Sequence, residues 1–364
     1  MKKKEKPSSG LSSYRSKIDR LDAEILKLLG QRGRLAQSIG KVKQSSGRGI
    51  FDPSREKQIF ERLAKMNKGP YSNTAIQSIF LEIISATRAL ESPISVAFLG
   101  PVSTFTHIAA VKQFGSSAEF LPQLDIAAVF HEVETNNADY GVVPVENTTE
   151  GVVNYTLDRF VDSQLKVCSE IIIPITHHLL SAENRIERVK RVYSHPQALA
   201  QCRNWLAQHL PGAEVKGVES TAGAAQRVVS ERNAAAIASE YAAQSYGLNR
   251  LARNIQDQSN NFTRFLVVGQ HLSQRTGNDK TSIVFLAKDR VGILYELLKP
   301  LSDSGINLTK IESRPRKTKA WEYLFFVDLD GHVEDRKVAL ALVRLSEACD
   351  FFKILGSYPK AAVV

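Results

Sequence analysis

Three successive units, all-helical, then α/β, then ferredoxin-like α+β, are predicted by two changes of pattern along this 364-residue chain. Up to Ser92-Pro93 the apolar residues keep a three-four helical spacing. Beyond it, short apolar runs alternate with amphipathic stretches, and the last stretch of about 80 residues reads strand, helix, strand, strand, helix, strand.

The first helix is predicted from about Ser13 to Ser45. Its inward stripe is Ile18, Leu21, Ile25, Leu28, Arg32, Leu35, Ile39 and Val42, seven apolar residues and one guanidinium. Burying a cation alone costs several kcal/mol, so an anion is expected in that seam. Lys43 lies about 16 Å from Arg32 on almost the same face, so both side chains can lean toward one small anion. Arg15 is about 25 Å from Arg32 and about 100° round the helix, too far to share that anion within one chain. The helix would run roughly 50 Å, more than two short helices can cover, which points to an intertwined dimer with shared sites. A second helix opens at Asp52-Pro53, an N-cap followed by proline at the first helical position, with Arg55 and Glu56 in its first turn. A third follows Ser72, turning Ile76, Ile79, Phe80, Ile83 and Ile84 inward and placing Thr87 and Glu91 one turn apart on one face.

Residues 11–92 resemble the all-helical chorismate mutases through Arg15, Arg32, Lys43, Asp52, Arg55, Glu56, Thr87 and Glu91. The resemblance implies a unimolecular rearrangement of chorismate to prephenate that needs no nucleophile, metal or cofactor. Arginine forks suit the two carboxylates, and Lys43 can donate to the ether oxygen. Several relatives carry Gln where this chain has Glu91, which can donate only when protonated, so an acid-leaning pH profile is expected.

Net charge is +10 for the whole chain, and residues 1–92 hold 19 Lys plus Arg against 9 Asp plus Glu. The excess is therefore confined to the helical unit. A basic helical unit can bind nucleic acid. However, four of its lysines lie in Met1–Lys6, read with residues 1–10 as a basic disordered tail, and steering of a dianionic substrate accounts for the rest. Three widely spaced cysteines, Cys168, Cys202 and Cys349, argue for a reducing compartment and against a structural metal. No apolar run approaches the ~20 residues of a membrane span, and the start does not read as a signal peptide, so a cytoplasmic protein is expected.

In the α/β unit, residues 93–271, strands are predicted at Ser95–Leu99, Tyr140–Val145, Val167–Ile173, Arg191–Tyr193 and Ala234–Ala238. Polar clusters follow the strands, where open sheets place ligands. They are Thr104 to His107, Glu146 to Gly151, Ser194 to Gln197, Glu219 to Thr221 and Asn260 to Phe265. This unit resembles prephenate dehydratases through Val-Pro-Val-Glu-Asn at 143–147, Tyr-Ser-His-Pro-Gln at 193–197, Gln201-Cys202 and Asn-Phe-Thr-Arg-Phe at 261–265. The resemblance implies two lobes like those of periplasmic binding proteins, with a site in the cleft that strips carbon dioxide and water from prephenate to give phenylpyruvate. It assigns Thr263 to the leaving hydroxyl, with Ser194 and Thr106 nearby. Arg264 is a carboxylate clamp if it faces the cleft and a lobe-holding salt bridge if it does not. Glu146 and Asn147 orient substrate; Gln201 and Glu219 support it. Thr104, Thr148, His195, Ser220, Thr221 and Phe265 complete the expected lining. The family usually has glycine at Ser103, where a positive φ would strain serine by about 1 kcal/mol or more.

After a polar linker, residues 272–280, the unit 281–364 is predicted to have strands Thr281–Ala287, Asn307–Glu312, Trp321–Leu329 and Phe351–Leu355, with helices from Gly292 and Asp335. It resembles the phenylalanine-sensing ACT domains through Val291-Gly292-Ile293-Leu294 and Glu312-Ser313-Arg314-Pro315. The implied effector site is Gly292, Ile293, Leu294, Asn307, Glu312, Ser313, Arg314 and Pro315, at a seam between two protomers.

Together these resemblances imply a bifunctional enzyme using chorismate and prephenate, inhibited by L-phenylalanine, forming a homodimer or higher oligomer, with no nucleic-acid or membrane partner. The rivals are an amino-acid-responsive DNA-binding regulator and an enzyme with one degenerate module. A regulator would expose a recognition helix, whereas here the seam charges point inward.

Overall fold

The computed structural model describes residues 8–46, 51–287, 290–316 and 322–361, with the side chains of 8–10, 41 and 43–46 outside that description. The helical unit is α1 (Ser8–Ser46), α2 (Pro53–Met66) and α3 (Asn73–Glu91). Asp52 and Ser72 cap α2 and α3 by accepting the Arg55 and Ala75 backbone N–H groups. Because α1 starts at Ser8, residues 8–10 of the expected disordered tail are helical instead; residues 1–7 lie outside the described residues.

The expected inward stripe of α1 is largely uncovered within one chain. Leu28 is 62% exposed and Leu35 68%, and Ile79 of α3 is exposed as well. Two helices of 14 and 19 residues cannot wrap a helix of 39.

The α/β unit has two lobes. The first contains β1 (Ser95–Leu99), α4 (Phe105–Phe114), β2 (Glu119–Gln123), α5 (Ile126–Glu134), β3 (Tyr140–Asn147), β4 (Gly151–Val152), α6 (Asn154–Asp162) and β5 (Lys166–Pro174). The chain crosses once into the second lobe: β6 (His178–Ser181), a 3-10 turn at Ile186–Arg188, β7 (Arg191–Ser194), α7 (Pro196–Gln201), α8 (Arg203–His209), β8 (Glu214–Gly217), α9 (Thr221–Val228), β9 (Ala234–Ala238), α10 (Glu240–Tyr246) and β10 (Asn249–Ala252). It then returns to lay β11 (Phe262–Gly269) between β3 and β5. Among the described residues the sheet orders are β2-β1-β3-β11-β5, with β4 on β3, and β10-β6-β9-β7-β8.

The last unit is β12 (Asp279–Ala287), α11 (Ile293–Asp303), β13 (Leu308–Pro315), β14 (Tyr323–Asp330), α12 (Arg336–Glu347) and β15 (Phe351–Pro359), with sheet order β13-β14-β12-β15. This is the expected ferredoxin-like order. Its sheet packs against the first lobe closely enough to share a core: Val143, Phe160 and Leu266 join Val284, Phe326 and Tyr358 in one buried cluster. At Gly356 a β-carbon would collide with the Val167 carbonyl, so the β15 backbone reaches β5 only because that residue has no side chain. The expected polar linker is also packed down. Ser273 donates to the Cys168 carbonyl at 2.5 Å, and Lys57 of α2 donates to the Asn278 carbonyl at 2.9 Å.

Candidate active sites

In the helical unit, α1 and α3 bring Arg32, Thr87 and Glu91 together. Arg32 donates to the Thr87 hydroxyl and to the Ile83 carbonyl at 3.4 Å. Burial lowers the pKa of its guanidinium, and the charge of Glu91 opposes that. A β-carbon at Gly40 would stand 3.0 Å from Glu91 Cγ, so glycine lets α3 carry Glu91 close against α1. Asp52 is occupied as the α2 cap, and Arg55 is exposed with only Gln58 Oε1 near its Nη1, at 3.4 Å. Arg15 lies on the exposed face of α1; Lys43 lies on α1 with its side chain outside the described residues. Glu56 is used elsewhere. It is buried and pairs with Arg88 at 2.8 Å, while Arg88 also donates to the Phe114 carbonyl at 2.7 Å, fastening this unit to the first lobe.

Between the lobes lies a cleft of about 930 Å³. Thr104, Thr106, Asn147, His195, Gln201, Glu219, Ser220, Thr221, Thr263 and Phe265 line it as expected. Helices α4 and α9 both begin there, from opposite lobes, capped by Thr104 and Ser220. First-turn N–H groups have no intrahelical partner and carry partial positive charge, so each helix start favours a carboxylate. Among the described residues lining the cleft there is neither Lys nor Arg. Its polar lining consists of helix starts, hydroxyls, amides, the imidazoles of His177 and His195, and Glu219.

The polar array at the cleft base has a fixed direction. Asn147 Oδ1 accepts the backbone N–H groups of Thr149 at 2.9 Å and Glu150 at 3.1 Å, which orients its amide. Its Nδ2 therefore donates to Asn261 Oδ1 at 2.8 Å and Thr263 Oγ1 at 2.7 Å. Since Thr263 Oγ1 already accepts from Asn147, its own hydrogen is free to be donated to a ligand.

Ser103 has φ 71°, the strained conformation anticipated for serine at that turn, and its buried Oγ has no hydrogen-bond partner among the described residues. Its backbone N–H donates to His107 Nδ1 at 3.2 Å, which helps hold the loop before α4.

Four expected dehydratase residues lie away from the cleft lining. Arg264 does not clamp substrate: successive side chains alternate across a strand, so with Thr263 in the cleft Arg264 faces the rear of the sheet. There its guanidinium meets Glu170 at 2.8 Å, Asp328 at 2.5 Å and the Tyr358 hydroxyl at 2.9 Å. Desolvation opposes its charge, but Tyr358, Asp328 and Glu170 outweigh that and hold its pKa above the ordinary value. Glu146, opposite Arg264 in the ladder, pairs with Lys310 of β13 at 2.8 Å. Ser194 is fully buried and donates to the Ile237 carbonyl at 2.6 Å. Thr148 bonds the Asn260 carbonyl at 3.1 Å and accepts from the Phe262 N–H at 2.9 Å, bridging two loops.

In the ferredoxin-like unit, Gly292 has φ 78° and sits at the start of α11 as expected, while Ile293 and Leu294 pack on that unit's own core. Asn307 reaches Asp330 at 3.5 Å, and Ser313 and Pro315 are exposed. Glu312 is half-buried on β13. Arg314 departs from the expectation, because both oxygens of Asp158 on α6 take its Nη2, at 2.8 and 2.9 Å.

Sequence reasoning missed His177, which lines the cleft with Nε2 3.0 Å from Gln201 Oε1. Beside His178 and before Leu179-Leu180 it reads as an ordinary strand-edge histidine. Asn261 fell inside a recognised motif but was given no role, although it donates to the same Gln201 oxygen at 3.0 Å.

Comparison with known proteins agrees with this division. Residues 14–92 match the chorismate mutase type II family, 96–273 the prephenate dehydratase family and 281–347 the ACT domain family. The bifunctional chorismate mutase/prephenate dehydratase of Aquifex aeolicus is 55% identical over 96% of this chain and 98% of its own length. That of Stutzerimonas stutzeri is 44% identical over 97% and 98%. A solved prephenate dehydratase from Arthrobacter aurescens, in complex with L-Phe, superimposes with TM-score 0.68 at 36% identity, covering 74% of this chain and 93% of that one. An all-helical unit with a half-buried arginine on its long helix, a two-lobed cleft and an appended ACT domain thus occur in one chain, and the chain belongs to the bifunctional chorismate mutase/prephenate dehydratase family.

Proposed function

We propose that the two activities of this enzyme are carried by residues in two different states of completeness. The dehydratase site is whole within one chain. Prephenate lies in the cleft with its carboxylates toward the starts of α4 and α9, and Thr263 donates its hydrogen to the ring hydroxyl. The bond to the ring carboxylate breaks, its electrons enter the ring, the C4–O bond breaks and hydroxide leaves, to be protonated to water. Thr263 stabilises the charge on that departing oxygen. The observation that carries this reading is the Asn147–Thr263 bond, in which Thr263 Oγ1 accepts, so its own hydrogen is available to the ring hydroxyl.

The mutase site is half built. Arg32, Thr87 and Glu91 form one side, and the uncovered stripe of α1 takes a second copy of the chain, whose Arg15 completes the site. L-phenylalanine binds the ACT unit near Gly292 and Asn307 and inhibits the dehydratase from a distance. The described residues contain no helix long and apolar enough to cross a membrane, and we place both reactions in the cytoplasm.

Supplying purified protein with chorismate and following prephenate and phenylpyruvate separately tests the division. Thr263→Ala should lower phenylpyruvate formation by roughly two orders of magnitude while chorismate is still consumed at the wild-type rate and prephenate builds up. Equal loss of both steps would contradict two independent sites.

A further inference from the structure

Helix α4 meets the cleft through a loop whose backbone is held by one of the helix's own side chains. Thr104 caps the helix by accepting the His107 backbone N–H at 3.3 Å, and its hydroxyl donates to the Leu99 carbonyl at 3.2 Å. In return the His107 side chain reaches back past the cap, where its Nδ1 lies 3.2 Å from the Ser103 backbone nitrogen. A backbone N–H can only donate, so Nδ1 is the acceptor and carries no hydrogen. The pattern is that of a capping box in which the third helical residue, ordinarily Glu or Gln, is histidine and the donor lies one residue earlier. The imidazole is buried among three rings, stacked on Phe98 at 4.8 Å and nearly perpendicular to Phe120 at 5.3 Å and to Tyr241 of the second lobe at 5.5 Å. Burial lowers its pKa, which keeps Nδ1 free to accept.

Ser103 holds its φ of 71° at a cost, and the bond to His107 offsets that cost. What the loop carries is part of the cleft wall: Gly100, Pro101, Thr104, Phe105 and Thr106 all line it. The backbone N–H groups of Phe105 and Thr106, in the first turn of α4, have no partner within the helix. We infer that His107 is a positioning residue of the dehydratase: by accepting from Ser103 it holds the loop in its strained form and so aims the Phe105 and Thr106 N–H groups at a carboxylate of the substrate. This rests on the reading that prephenate meets the start of α4. His107 is not among the residues that line the cleft and acts only through the backbone.

Two variants of nearly equal shape separate the bond from the packing. His107→Asn puts an amide oxygen near the Nδ1 position, His107→Leu puts a methyl group there, and both lose the same ring contacts. In the full chain, His107→Leu should raise the dehydratase KM on the order of tenfold with kcat within about twofold of wild type, because a contact made equally in the ground and transition states is weakened. His107→Asn should recover most of that loss. Ser103→Gly added to His107→Leu should recover part of it, since glycine takes a positive φ without strain.

Equal KM in the Leu and Asn variants, no recovery from glycine, or a loss confined to kcat would each overturn the inference and leave His107 a packing residue. Mutase activity and thermal melting report folding in every variant. The wild-type protein decides the matter even where a variant does not fold: nitrogen NMR should find His107 Nδ1 without hydrogen at neutral pH and the Ser103 amide slow to exchange, and a protonated Nδ1 would overturn the inference. Thr263→Ala measured alongside reads the assignment beneath. Full turnover there removes prephenate from the cleft, whereas loss there with wild-type KM in His107→Leu removes only the role of His107.

Discussion

The two faces of the β3–β11 ladder do opposite work with neighbouring residues. Toward the cleft the ladder presents Asn147 and Thr263, a small neutral pair 2.7 Å apart with one hydrogen left to give. Toward the ACT sheet it presents Glu146 and Arg264, drawn into an ionic cluster with Glu170, Lys280, Asp328 and Lys310. The difference teaches that a contiguous motif need not be one site. Asn-Phe-Thr-Arg-Phe is split by the two-residue period of a strand into a half that faces the cleft and a half that docks the ACT sheet. The arrangement also places the ACT sheet one residue from the cleft-lining Thr263, on the far side of the same strand.

Arg264→Ala should break this comparison hardest. Removing one member of a buried charge cluster leaves Glu170 and Asp328 short of their main partner, which costs about 3–5 kcal/mol. The dehydratase and ACT units should melt earlier together, since they share one core, while the helical unit should be affected less. Calorimetric melts check this; a variant with wild-type melting would return Arg264 to the cleft as a clamp.

The helical unit sharpens the contrast, because we propose that its site needs a second copy of the chain where the cleft does not. Arg15→Ala and Arg32→Ala should each abolish mutase activity. In a refolded equal mixture, half of the dimers are mixed and each mixed dimer regains one of two composite sites, so about a quarter of wild-type activity should return. If mixed dimers form and none returns, Arg15 and Arg32 do not serve a shared site.

Much of this was legible in the residues. The three helices, five of the eleven strands described in the α/β unit and the ferredoxin-like order follow from periodicity and capping, and Arg32 stood out as a charge on an apolar stripe. Ser103 was singled out differently, because the family it resembles usually has glycine there, and its φ of 71° is the strained value. What the sequence hid was direction. Nothing in the letters Thr263-Arg264 or Glu146-Asn147 says which member faces the cleft until strand pairing and the ACT sheet behind it are known. Glu56 and Arg314 were likewise claimed by partners 32 and 156 positions away, Arg88 and Asp158, which no local pattern reveals. His177 was missed because its contact with Gln201, 24 positions away, leaves no mark on the local pattern.

The central claim is that prephenate and phenylalanine act from opposite faces of one sheet. Calorimetric titration of phenylalanine into full-length Thr263→Ala protein, which turns prephenate over slowly, at increasing prephenate concentration tests it most directly. Two sites coupled through the sheet predict that phenylalanine affinity shifts to a limiting value and then stays there, with prephenate affinity changed by the same factor in the reciprocal titration. An affinity that keeps falling in proportion to prephenate, with no plateau, would mean that both ligands compete for the cleft, and the account would be wrong.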